Sequence, residues 1–198
     1  MFNNKTLMIT GGTGSFGQTV LKRFLDTNVK EIRVFSRDEK KQEDMRIALN
    51  HPKLRFYIGD VRDEASLRQA MKGVNYVFHA AALKQVPSCE FYPMEALRTN
   101  VIGTENVLNA ATDAGVERVV ALSTDKAVNP VNLYGATKLC AEKIIVRDYQ
   151  LDAEGRRQWS PLAIVYAARE PSAHVKARTI GLPDAHDAFE EVRPNYTR

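Results

Sequence analysis

The segment Thr10-Gly11-Gly12-Thr13-Gly14-Ser15-Phe16-Gly17 constrains this chain more than any other. It follows a short β-branched run, Lys5–Thr10, and leads into a helical pattern near Phe16–Asp26. It contains Gly-x-Gly-x-x-Gly at 12, 14 and 17, and Gly-x-x-Gly-x-x-Gly at 11, 14 and 17. Glycines so spaced permit a tight turn, close approach of backbone to a pyrophosphate, and packing of helix on strand. The helix N-terminus adds free N–H groups and a positive dipole end. Taken alone, the pattern also fits an ordinary glycine-rich turn. Its place after the first strand of a βαβ unit points to a dinucleotide.

The rest of the first 150 residues continues the alternation. Strand-like runs fall at Glu31–Ser36, Leu54–Ile58, Tyr76–His79 and Arg118–Leu122. Helical patterns lie near Asp38–Leu49, Glu64–Met71, Pro93–Asp113 and Tyr134–Gln150. In the helix expected over 93–113, Leu97, Val101, Leu108 and Ala111 share one face. Ser36 with Glu39 fits a capping box. Near-continuous apolar strands separated by helices predict an α/β fold, a doubly wound parallel sheet of Rossmann type with right-handed crossovers.

The chain changes character near Gly155. Four of its eight prolines follow: Pro161, Pro171, Pro183 and Pro194. Leu162–Ala168 reads as a sixth strand, and the remainder as irregular. We therefore expect a dinucleotide-binding domain over 1–158 and an unmatched tail over 159–198. The 198 residues suffice for one domain with a dense core. A net charge of +4 without a basic cluster argues against nucleic acid. Two cysteines, Cys89 and Cys140, exclude a disulfide framework and fit a reducing cytoplasm, where both read as small apolar packers. No apolar run reaches membrane-spanning length, and the N-terminus has no signal-peptide layout. His51, His174 and His186 show no metal spacing, and His79 reads as a packed histidine.

Several strand ends carry chemistry. Arg37 stands where an NAD site usually has an acid, and its guanidinium suits a 2′-phosphate, which favours NADP. The other reading has Arg37 solvated at a helix start and Asp38 holding the ribose. Asp60 and Val61 end the third strand, where an adenine edge would lie. After the fourth strand, Ala80, Ala81 and Ala82 let backbone pass close to a cofactor; Lys84 is either a phosphate or substrate contact or an exposed lysine. Thr99 and Asn100 interrupt an apolar face, and Asn100 is either a structural hydrogen-bonder or a contact residue. Tyr134 and Lys138, four apart, share one helical face, and the ammonium is expected to lower the phenol pKa and make Tyr134 a base. Asp125 and Lys126 deliver an acid and an amine to one crevice, which suits elimination, or else form a solvated charge pair.

The stretches ITGGTGSFG (9–17), FSRDEKKQ (35–42), RFYIGDVRD (55–63), HAAALKQVP (79–87) and ALSTDKAVNPVNLYGATKLCAEK (121–143) carry a resemblance. The chain resembles the extended short-chain dehydrogenase/reductase family and, within it, the inverting UDP-N-acetylglucosamine 4,6-dehydratases of the CapD-like polysaccharide-biosynthesis group. The resemblance covers roughly the first 150 residues. It implies oxidation of the sugar at carbon 4, loss of water across carbons 5 and 6, and inversion at carbon 5. Tyr134 would take the hydroxyl proton with Lys138 in support. Lys126 would be the carbon-5 base, made neutral by burial beside the cofactor, and Asp125 the acid that protonates the leaving hydroxyl. NADP would sit on Gly11, Thr13, Gly14, Ser15, Phe16, Gly17, Ser36, Arg37, Asp38, Lys41, Asp60, Val61 and Ala80, with Tyr134 and Lys138. Lys84, Thr99 and Asn100 would meet UDP-N-acetylglucosamine. The resemblance also implies a homo-oligomer for a full-length chain.

After Trp159-Ser160 the pattern breaks. The family continues with an Arg-Tyr-Gly-Asn signature, a Gly-Ser-Arg-Gly loop and a substrate-binding part, whereas this chain runs Pro161-Leu-Ala-Ile-Val-Tyr and ends at Arg198. The substrate-binding part is thus expected to be largely missing, through a frame shift near residue 161 or as a short variant. A nucleotide-sugar 4-epimerase, which needs only Tyr134 and Lys138, and a non-catalytic NADP-binding module are the competing readings.

Overall fold

The computed structural model describes residues 2–147, 149–151, 157–159 and 163–167. Eight strands lie among the described residues: β1 (Thr6–Thr10), β2 (Glu31–Ser36), β3 (Leu54–Ile58), β4 (Tyr76–His79), β5 (Arg118–Thr124), β6 (Tyr149–Leu151), β7 (Arg157–Trp159) and β8 (Ala163–Ala167). Six form a sheet in the order β3-β2-β1-β4-β5-β8. All its pairings are parallel. The chain order reverses between β1 and β4, which opens a crevice at the carboxyl ends of those strands. β6 and β7 make a separate antiparallel pair that periodicity did not reveal. The sixth strand expected near Leu162–Ala168 is present as β8, with Val120 opposite Ala163. The position of the boundary near Gly155, and the irregular course expected after Ala168, lie outside the described residues.

Every residue of β1 and β4 is buried, as a strand covered on both faces requires. Alternation along β1 sends Leu7 and Ile9 to one face and Met8 to the other. On the first face they pack with Val20, Leu21 and Phe24 of α1 (Ser15–Leu25) and Met45 of α2 (Glu39–Leu49). On the second, Met8 joins Leu67 of α3 (Glu64–Ala70), then Val107 and Leu108, and Ile145 from the last helix. Burying one such aliphatic side chain is worth about 1.5–3 kcal/mol. The N-cap of α2 is Asp38, whose carboxylate accepts from Lys41 N at 2.9 Å, so the expected Ser36 capping box does not form. Ser36 is instead buried, bonded to Thr13 at 2.7 Å between the hydroxyl oxygens.

The helix expected over 93–113 is broken. It comprises α5 (Pro93–Leu97), a π-helical turn (Arg98–Ile102) and α6 (Gly103–Asp113), and a further short helix, α4 (Val86–Phe91), precedes it. The wider turn shifts the register of all that follows. Thr99 and Asn100 therefore point inward and are buried, while Leu97 and Val101 are only half-buried. Of the four residues expected on one core face, Leu108 and Ala111 are in the core. A single 3₁₀ turn, Asp125–Ala127, then joins β5 to α7 (Leu133–Arg147). Cys89 is buried, as expected of a packer; Cys140 is exposed, because α7 turns it outward. Among the described residues no helix is long and apolar enough to cross a membrane.

Candidate active site

A cleft of about 310 Å³ lies over the carboxyl ends of the central strands. All the residues expected around a cofactor line it: Gly11, Thr13, Gly14, Ser15, Phe16, Gly17, Ser36, Arg37, Asp38, Lys41, Asp60, Val61, Ala80, Tyr134 and Lys138. Lys84 and Thr99 line it too; Asn100, Asp125 and Lys126 do not. Phe35, Gly59, Ala81, Ala82 and Leu122 complete the walls. The alanines were legible in the small-residue run after β4; Phe35 and Leu122, ordinary strand residues, carried no signal.

The floor is the glycine turn. Gly11 has φ +67°, and a side-chain carbon there would sit 2.7 Å from Ala81 N, so the β1 and β4 ends touch through backbone alone. Gly14 N donates to Gly11 O at 2.9 Å, and Gln18 Nε2 donates to Thr13 O at 3.0 Å, which ties α1 to the turn. Thr99 Oγ1 is buried in the wall with no hydrogen-bond partner among the described residues. A buried hydroxyl left unpaired is costly, so this position fits a polar ligand. A glycine cradle, a helix N-terminus and an unpaired hydroxyl in one elongated cleft suit a dinucleotide.

At one end of the cleft, Arg37 Nη1 lies 3.3 Å from Asp60 Oδ2 and remains 52% exposed. Burial pushes the Asp60 carboxyl up, but hydrogen bonds from Arg62 and the Arg37 charge outweigh it and hold the pKa below the usual range. Both Asp38 oxygens are engaged, one by Lys41 N and the other by Lys41 Nζ at 3.1 Å.

At the other end stand Tyr134 and Lys138. The start of α7 is fixed from three sides. Asn132 Oδ1 accepts from Gly135 N at 2.9 Å, Glu90 accepts from Leu133 N at 2.7 Å, and Gly135 rests on the Lys126 carbonyl. The Asn100 amide is engaged with Leu83 N at 2.8 Å, Leu83 O at 2.9 Å and Thr137 Oγ1 at 3.0 Å, so it braces the loop after β4. Tyr134 differs from expectation: its pKa is raised, not lowered. Burial is the main cause, Cys89 and Asp125 add to it, and only the Thr124 hydroxyl opposes. Thr124, buried at the end of β5, is a neighbour that motif reading passed over, although it stands in the Ser123-Thr124-Asp125-Lys126 run.

Lys138 is 5% exposed, and burial lowers its pKa to about 8, with Glu142 pulling the other way. Glu142 in turn accepts from Ser123 Oγ. In the folded chain Lys138 releases its proton near pH 8, before the ordinary value of 10.5. Below about pH 8 its charged burial therefore costs stability, on the order of 3 kcal/mol, and this cost fades as pH rises towards 10.5. A Lys138→Met variant is expected to melt higher than the parent at pH 7, with a gap that narrows above pH 8. A gap that is constant from pH 7 to pH 10 would refute the buried charge.

Asp125 and Lys126 form an ion pair at 3.5 Å, and their side chains are 47% and 44% exposed. The expected burial of Lys126 is not found, because the 3₁₀ turn points it outward from the end of β5. A hydrogen bond from Thr124 holds the Asp125 carboxyl below the usual range, with the Lys126 charge contributing. Among the described residues no group of three or more His, Cys, Asp or Glu side chains is placed to hold a metal.

A six-stranded parallel sheet in this order, with a Tyr134–Lys138 pair in its crevice, defines the short-chain dehydrogenase/reductase class of α/β folds. Residues 7–164 match the family described as polysaccharide biosynthesis protein, and the chain belongs to that family. A relative from Rickettsia rickettsii named UDP-glucose 4-epimerase is 65% identical over 159 residues, which is 78% of this chain and 47% of the relative. The chain thus spans about half the length of the curated relatives it matches. Among solved structures, Pen from Bacillus thuringiensis superposes with a TM-score of 0.76 at 38% identity, covering 85% of this chain and 50% of Pen. The dTDP-glucose 4,6-dehydratase DesIV from Streptomyces venezuelae, solved with NAD and TYD, gives a TM-score of 0.68 at 26% identity, covering 82% of this chain and 55% of DesIV.

Proposed function

We propose that these residues form the cofactor-binding and proton-transfer half of an NADP-dependent enzyme that modifies nucleotide sugars, and that the reaction is 4,6-dehydration of UDP-N-acetylglucosamine. The carrying observation is the Tyr134–Lys138 pair in the wall of a glycine-floored cleft, with Asp125 and Lys126 on the adjoining turn. NADP is favoured over NAD because both Asp38 oxygens are taken by Lys41, whereas Arg37, paired with Asp60 through Nη1 alone and 52% exposed, has further donors for a ribose 2′-phosphate.

The chemistry NADP supplies when bound is reversible hydride acceptance, so it is regenerated in each turnover. Tyr134 takes the carbon-4 hydroxyl proton, and Lys138 holds its charge nearby. The ketone acidifies carbon 5, whose proton passes to Lys126. Asp125 protonates the hydroxyl that leaves carbon 6; the hydride taken from carbon 4 would return to carbon 6, and reprotonation of carbon 5 from the opposite face inverts it. As an ion pair, Asp125 and Lys126 hold the opposite protonation state from the one this step needs. Substrate entry would have to invert that state against the Thr124 hydrogen bond, which favours the Asp125 carboxylate.

The second reading, a UDP-glucose 4-epimerase, is favoured by the names of relatives 62–67% identical to this chain and by the exposure of that pair. It uses Tyr134 and Lys138 alone. Mass spectrometry of UDP-N-acetylglucosamine incubated with the chain and NADP separates the readings. Loss of one water is the result expected if residues up to Arg198 suffice to hold the substrate, and it would carry the dehydratase reading. A product of unchanged mass with an inverted carbon 4 would favour the epimerase, and bound NADP without product would favour a binding module.

A further inference from the structure

His79 lies at the carboxyl end of β4, fully enclosed, and no step above uses it. Its ring bridges the end of β1, next to the glycine turn, and the start of α6, next to the π-turn. Nδ1 is 2.7 Å from Thr10 Oγ1, on the residue that opens the glycine turn. Nε2 is 3.1 Å from Thr104 Oγ1, on the first turn of α6. Thr104 has a single hydroxyl proton, and it is donated to the Asn100 carbonyl at 2.7 Å. Towards His79 the Thr104 oxygen can therefore only accept, so the proton of the bridge sits on Nε2. Burial, with the Lys138 charge second, holds the imidazole pKa down at about 3, so the ring is neutral and Nδ1 is bare. Thr10 must then donate to it. The bonds run in one sense, from Thr10 to His79 to Thr104 to the carbonyl of Asn100 in the π-turn.

We propose that His79, fixed as its Nε2–H tautomer, is a positioning residue that clamps the glycine turn to the π-turn carrying Thr99, and so sets the width of the cofactor cleft. The proposal rests on the reading of the cleft as a dinucleotide site. Its physical basis is the backbone contact between Gly11 and Ala81, two residues beyond His79. The bond from Ala80 N to Thr10 O at 3.0 Å holds the two strand ends together, and the His79 clamp fixes how the π-turn sits against them.

Two measurements test this on the full chain. Nitrogen-15 spectra of histidine-labelled protein at neutral pH, with His79 identified by its loss in His79→Asn, are expected to show Nε2 protonated and Nδ1 bare. A protonated Nδ1 would overturn the assignment. Calorimetric titration with NADP, at a temperature where every variant is fully folded, is expected to give about tenfold weaker binding for His79→Leu, the size of one uncompensated buried hydrogen bond. His79→Asn retains an acceptor for Thr10 and His79→Gln a donor for Thr104, so both are expected to fall between parent and leucine. If leucine at 79 prevents folding, these two carry the comparison. Parent-like NADP affinity in folded variants would reduce His79 to a structural role. A parent that binds no NADP would overturn the dinucleotide reading and the positioning role together, whereas the spectrum decides the tautomer by itself.

Discussion

A Tyr134→Phe protein is expected to bind NADP like the parent and to turn over UDP-N-acetylglucosamine about a hundredfold to ten-thousandfold more slowly. The ring stays half-buried in the cleft wall, so packing is kept and only the proton acceptor for the sugar hydroxyl is lost. The raised phenol pKa sharpens this expectation. Burial leaves Tyr134 a neutral phenol, with Thr124 alone pulling towards phenolate. Activation would therefore come with ligands: the positive charge of an oxidised nicotinamide, if bound in this cleft, would favour the phenolate. Single-turnover formation of NADPH, followed by absorbance, is the decisive assay. Parent-like rates would remove Tyr134 from the chemistry. Lys126→Ala carries the same assay further: NADPH should form and persist if dehydration is the reaction, whereas an epimerase would be unaffected.

Gly135→Ala is expected to lower stability by roughly 3 kcal/mol, the upper range for forcing a methyl into a packed site. A side-chain carbon at 135 would overlap the Lys126 carbonyl oxygen and lie 3.0 Å from its carbon. The obstacle is backbone and cannot rotate aside. Relief requires the start of α7 to lift from the 3₁₀ turn, against the bonds from Leu133 to Glu90 and from Gly135 to Asn132. Lifting would carry Tyr134 away from Thr124. Urea unfolding at constant slope should therefore show a lower midpoint together with lost turnover. An unchanged midpoint would mean that the close approach is not needed.

What could be read from the residues divides along a physical line. The strands and the glycine turn were legible because they depend on local rules: short near-continuous apolar runs, β-branching, and glycine where backbone meets backbone. Seventeen wall positions were named from the sequence: many stand at strand ends and the turns after them, which a parallel sheet brings together, and the rest, such as Lys41, Thr99, Tyr134 and Lys138, lie on helices and came from spacing or resemblance. The protonation states were not legible. Spacing placed Lys138 beside Tyr134, but whether a charge or a desolvating wall dominates at the phenol depends on tertiary burial. Lys126 failed for the same reason, since a one-turn 3₁₀ segment decides which way it points. The break at Arg98–Ile102 was also invisible, because Thr99 and Asn100 among apolar neighbours look like ordinary polar intrusions into an α-helix.

That break makes the count of residues in one helix a functional quantity. A π-turn holds one residue more than the α-helical path it replaces, and each residue advances an α-helix by about 100°. Deleting a single residue between 98 and 102 would let α5 and α6 join as one uninterrupted helix with regular hydrogen bonds. The same deletion would rotate the segment before it by more than a quarter turn, taking the Thr99 hydroxyl out of the cleft and Asn100 off the loop it braces. A shorter helix would be more regular and would point its polar side chains elsewhere.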